Sequence, residues 1–133
     1  MQVRDGMSSI VLTVGPNHTL REAARLMADR NVGAAIVLDP ESAGPGIITE
    51  RDILRSLADG DDPGEELVCN HLTDDLISAS PDWSLEQAAE EMVTRGIRHL
   101  VVVDHGELVG VLSMRDIVRC WTTAGATSSM SPP

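Results

Sequence analysis

The sequence predicts an α/β (α+β) chain built from two βαββα repeats. Its 133 residues fit one domain or two small units packed as one. Laid against itself, the chain superposes its two halves. In each half, apolar runs of helical and extended period follow one another in the same order.

Shifting the chain by 65 residues places Val3 on Val68, Met7 on Leu72, Pro16 on Pro81, Thr19 on Ser84, Met27 on Met92, Val37 on Val102 and Asp39 on Asp104. The offset then falls to 64, matching Gly46, Thr49, Arg51, Asp52 and Arg55 to Gly110, Ser113, Arg115, Asp116 and Arg119. The slip falls in the Pro/Gly-rich stretch 40–45, where a loop absorbs a change of length. This divides the chain into a first repeat over 1–58, an acidic linker over 59–67, a second repeat over 68–122 and a disordered tail over 123–133 rich in Thr, Ser, Ala, Gly and Pro.

Each element has a local reason. Ile10–Val14 and Leu76–Ala79 are short β-rich runs closed by Gly15-Pro16 and Ser80-Pro81. Thr19 to Glu22 and Ser84 to Gln87 read as capping boxes, each opening a helix with apolar residues at helical spacing: Leu20, Ala23, Ala24, Met27 and Leu85, Ala88, Ala89, Met92. Asn31 and Gly96 are expected as left-handed stops. Ala34–Leu38 and His99–Val103 are nearly continuous apolar runs of strand length, suited to a sheet covered on both faces. Gly46–Ile48 and Glu107–Leu112 follow as third strands and pass directly into second helices at Glu50–Ala58 and from Met114 to about Thr122.

Composition excludes several functions. All ten basic residues are Arg against 21 acidic ones, for a net charge of −11, a field that repels nucleic acid. Trp83 and Trp121 are the only aromatics, so base-stacking platforms are absent. The lack of Lys excludes Schiff-base chemistry and a P-loop lysine. No apolar run reaches the roughly 18 residues a membrane span needs, and residues 1–16 lack a signal peptide's apolar core, so a cytoplasmic protein is expected. Cys69 and Cys120 read as free thiols in a reducing compartment. Cys69 and His71 offer too few ligands for structural zinc, so no metal is expected. No Ser lies in a nucleophile elbow and the repeated Asp residues have no evident acid/base partner, so no catalysis is expected.

The repeat itself, the block Val32-Gly-Ala-Ala-Ile-Val-Leu-Asp39 and the ending Gly46-Ile-Ile-Thr-Glu-Arg-Asp-Ile-Leu54 resemble a CBS domain. So do Ile97-Arg-His-Leu-Val-Val-Val-Asp104 and Gly110-Val-Leu-Ser-Met-Arg-Asp-Ile-Val118. Two copies in register resemble a stand-alone CBS pair, a Bateman module. The resemblance implies two repeats packed through their sheets about a pseudo-two-fold axis. It also implies two clefts that hold AMP, ADP, ATP or S-adenosylmethionine, and a regulatory homodimer that acts on a further, unknown protein.

Thr49 and Ser113, each with Asp three residues on at Asp52 and Asp116, are the ordinary start of a helix. The resemblance adds that these carboxylates bind the ribose hydroxyls while the hydroxyl and free helix N–H groups face phosphate. Arg51 and Arg115 either reach phosphate or pair with a neighbouring acid. Adenine is expected between the backbone of Thr13-Val14 or Ser78-Ala79 and the apolar groups of Val32 or Ile97. Arg98 and His99 stand opposite Gly33 and Ala34, so unequal sites are expected. The competing reading is a dimerisation or protein-interaction module with no ligand, favoured by that missing basic pair and by the acidic charge.

Overall fold

The computed structural model describes residues 1–74 and 76–130, with side chains as far as Thr123. Two compact units form, one from residues 11–76 and one from residues 1–10 with 77 onward.

In the first, β1 (Thr13–Val14), β2 (Ala34–Val37) and β3 (Gly46–Thr49) make a sheet in that order. β1 runs parallel to β2, Thr13 opposite Ile36, and β2 antiparallel to β3, Ala34 opposite Thr49. The parallel crossover is α2 (Leu20–Arg30), and α3 (Glu50–Ala58) follows β3 without a loop. Leu20, Ala23 and Met27 of α2 meet Val14, Ala35, Val37 and Ile48 in the core.

The other unit repeats the pattern with β4 (Ser78–Ala79), α4 (Leu85–Arg95), β5 (His99–Asp104), β6 (Glu107–Ser113) and α5 (Met114–Met130). Ser78 pairs with Val101, and His99 with Ser113. Leu85, Ala88, Ala89 and Met92 pack on Ala79, Leu100, Val102 and Leu112. In both sheets three successive residues of the middle strand are buried, Ala35 to Val37 and Leu100 to Val102, so both faces are out of water there.

Both first helices end in the left-handed region, at Asn31 (φ 54°) and Gly96 (φ 65°). The box opening α2 is complete, but at α4 only one arm forms: Ser84 Oγ accepts from Gln87 N at 3.0 Å. A neutral amide oxygen is a weaker acceptor than the Glu22 carboxylate that completes the other box. The first strands are shorter than the β-rich runs. Ile10 is 82% exposed and groups with the other unit, not with β1. The backbone expected to lose structure at residue 123 stays helical to Met130, with no proline before Pro132 to end it; residues 131–133 lie outside the described residues.

The main departure from the sequence reading lies in the segments that open the repeats. They form a helical turn, α1 (Val3–Gly6), and a 3-10 turn, Val68–Asn70, where no element was expected. Each joins the unit of the other repeat. Val68, fully buried, enters the core of residues 11–76, and Val3, also fully buried, enters the core of the second unit. Thr73 exchanges backbone hydrogen bonds with Ile47 at 2.8 and 2.9 Å, and Ser8 does the same with Val111 at 2.9 and 3.0 Å. These bridges occupy equivalent places beside β3 and β6.

Candidate functional site

Each unit places its candidate residues where the last strand turns into the last helix. In residues 11–76, Thr49 ends β3 in extended backbone (φ −119°, ψ 162°) and caps α3. Asp52 Oδ2 accepts from Thr49 N at 2.9 Å and from the Thr49 hydroxyl at 2.9 Å, while Asp52 N donates to Thr49 Oγ1 at 3.3 Å. Glu50 N donates to Gly33 O at 2.9 Å, tying the start of the helix to the entry of β2.

The equivalent corner of the other unit is similar in backbone and different in charge. Ser113 N donates to Asp116 Oδ2 at 2.8 Å and Asp116 N to Ser113 Oγ at 3.0 Å. Met114 N donates to Arg98 O at 2.8 Å, the counterpart of Glu50 on Gly33. Arg119, four residues after Arg115, donates to Asp116 Oδ1 at 2.6 Å. Against Gly33 lies a carboxylate: a Cβ added there would stand 3.1 Å from Glu50 Cδ. Arg51, Asp52 and Arg55 of one corner thus match Arg115, Asp116 and Arg119 of the other, and the charge differs because Glu50 and Gly33 stand where the other repeat has Met114 and Arg98.

The remaining predicted residues are spread across each sheet. Thr13-Val14 lie on the opposite edge strand from Thr49, two strand spacings or about 10 Å away. Val14 and Ala79 are buried in their cores, so only their backbone can meet a ligand; Thr13 and Ser78 are exposed. Val32 is 38% exposed and follows the left-handed Asn31, its N–H bound to Met27 O at 3.0 Å. Ile97 is half-buried against its core, Arg98 is exposed and His99 half-buried.

Both cysteines are free, Cys69 exposed and Cys120 half-buried. His71 has other neighbours than Cys69. Its Nε2 lies 2.8 Å from Glu66 Oε1 and 3.8 Å from Asp61 Oδ2. Sequence reasoning took those two acids for linker charge, and only their spacing before His71 could have flagged them.

A family model described as "CBS domain" matches the chain twice, over residues 2–59 and 67–122. The chain belongs to the CBS domain family. This CBS pair is 41% identical over 116 residues to the CBS domain-containing protein YhcV of Bacillus subtilis, covering 86% of this chain and 81% of that one. A hexameric CBS-CP12 protein from bloom-forming cyanobacteria superposes with a TM-score of 0.81 at 26% identity, over 90% of this chain and 71% of that one. The CBS domain pair of protein MJ0100, solved with 5′-methylthioadenosine and S-adenosyl-L-methionine, superposes with a TM-score of 0.78 at 27% identity, over 91% and 99% of the two chains. Among the described residues no helix is long and apolar enough to cross a membrane.

Proposed function

We propose that this CBS pair is a non-catalytic, cytoplasmic regulatory module that binds adenosine-containing ligands and signals through conformation or association, as a homodimer acting on a further protein. The observation that carries this is the likeness, over almost the whole of both chains, to a CBS pair solved with two adenosine compounds. The duplicated hydroxyl-and-Asp corner supports it. A carboxylate with two acceptor oxygens suits a ribose diol, and the positive end of a helix dipole suits an anion. The span from Thr13-Val14 to Asp52 suits a nucleoside better than a small ion.

The two corners differ in ligand preference on this reading. Arg98, which has no counterpart in the first repeat, favours a phosphate-bearing nucleotide such as AMP, ADP or ATP in the second unit. Glu50 over Gly33 repels phosphate in the first, which leaves a nucleoside-like or cationic ligand such as S-adenosylmethionine. The alternative, a ligand-free interaction module, is favoured by one specific contact: Asp116 already spends Oδ2 on the cap and Oδ1 on Arg119.

Thermal unfolding of nucleotide-stripped protein with AMP, ADP, ATP, S-adenosylmethionine and 5′-methylthioadenosine separates the readings. A ligand at 100 times its Kd adds about 2.7 kcal/mol to the native state. Asp52→Asn and Asp116→Asn keep a cap acceptor but replace one carboxylate oxygen by a donor, so each should abolish the shift of its own ligand with the fold intact. A folded protein that shifts with none of these compounds would make the interaction module the better account.

A further inference from the structure

We propose that Asp61, Glu66 and His71 form a binding site for one divalent transition-metal ion. Their ligand atoms all lie within 4.8 Å of one another. Ligands about 2.1 Å from a tetrahedral ion stand about 3.4 Å apart. The distances from His71 Nε2, 2.8 Å to Glu66 and 3.8 Å to Asp61, lie on either side of that spacing. One imidazole and two carboxylates suit zinc, manganese or ferrous iron, with water completing the shell.

Several contacts set this cluster apart from an ordinary patch of surface acids. Ser56, 2% exposed, donates its hydroxyl to Asp61 Oδ2 at 2.7 Å, the kind of outer hydrogen bond that orients a metal-binding carboxylate. The backbone at each ligand is also fixed. Asp61 N donates to Ser56 O at 3.1 Å, Glu66 O accepts from Leu20 N at 2.9 Å, and His71 N donates to Val68 O at 3.0 Å beside the fully buried Val68 side chain. Two carboxylates converge on one ring nitrogen that has a single hydrogen to give, and a cation satisfies both. His71 would then carry its proton on Nδ1 and bind through Nε2.

The ion would join the segment that follows α3 to the segment that brings Thr73 against β3, closing an eleven-residue loop, 61–71, inside one unit. Position 71 corresponds to Gly6 in the repeat register, so the other unit has no equivalent and one ion per chain is expected.

Untagged, chelator-stripped full-length chain titrated with Zn2+ against a chromophoric chelator tests this. The expected result is one equivalent bound, weakened about tenfold or more by His71→Ala and by Glu66→Gln, and about ten- to a hundredfold by Ser56→Ala. Cys69→Ser should leave the affinity unchanged, and the Co2+ form should show no thiolate charge-transfer band. Glu66→Gln is isosteric and half-exposed, so it keeps the test decisive if His71→Ala loses its circular dichroism spectrum. Absence of a stoichiometric site, equal affinity in wild type and Glu66→Gln, or loss on Cys69→Ser would each overturn the proposal.

Discussion

Glu22 stands in solvent, yet its carboxylate accepts the backbone N–H and the hydroxyl of Thr19, each at 3.1 Å. The backbone bond above all holds its pKa below the ordinary 4.5. A carboxylate depressed on folding contributes stability that is present above its unfolded pKa and lost as pH falls through the folded one. Glu22→Gln should therefore unfold more easily than wild type in urea at pH 7, and the two curves should converge as the pH falls through the lowered folded-state pKa of Glu22. A gap that persists in acid would mean the glutamine disturbs packing and not charge. Thr49–Asp52 and Ser113–Asp116 make the same reciprocal contact with a side chain one methylene shorter, and this much was legible from three-residue spacing. Arg119 on Asp116 and the acids around His71 were not, because such contacts depend on how a helix turn or a loop presents its side chains.

Gly46 and Gly110, aligned by the repeat, show why a segment from elsewhere in the chain can close each sheet. A Cβ on Gly110 would stand 2.6 Å from the Ser8 carbonyl, and one on Gly46 would stand 2.8 Å from Leu72 Cδ1 and 3.1 Å from Thr73 O. Both incoming segments lie close, and at Gly110 the backbone is so near that only hydrogen fits. Gly110→Ala must displace backbone and should cost about 2 kcal/mol, whereas Gly46→Ala meets the end of a flexible leucine first and should cost less. Urea unfolding of both variants checks the order; equal stability to wild type would mean the segments are not held there. The helices were legible because their apolar spacing and caps agree, and the middle strands because they are short runs too apolar to face water. Which unit Val3 and Val68 enter was not legible. They are equivalent residues, and either core accepts a valine, so the choice rests on chain connectivity that periodicity does not report.

Over the whole molecule, the apolar residues left outside the cores bear on the proposed dimer. Met27, Ala89 and Met92 are buried inside their own units and are not available for association. In their place Leu54 and Leu57 on α3, 65% and 48% exposed, match Val118 and Trp121 on α5, 51% and 43% exposed, in the repeat register. On the proposed dimer, each second helix offers large apolar groups at the same two positions for a second copy to cover. Each copy carries −11, so contact between them works against repulsion that salt screens. Light scattering should give twice 14.2 kDa, with dissociation suppressed as ionic strength rises. Leu57→Glu with Trp121→Glu should weaken association about a hundredfold or more while leaving the unfolding temperature of the monomer close to wild type, since neither residue belongs to a core. A wild type that stays monomeric at high salt, or a dimer that survives both substitutions, would place the association surface elsewhere and leave these side chains to the further protein partner.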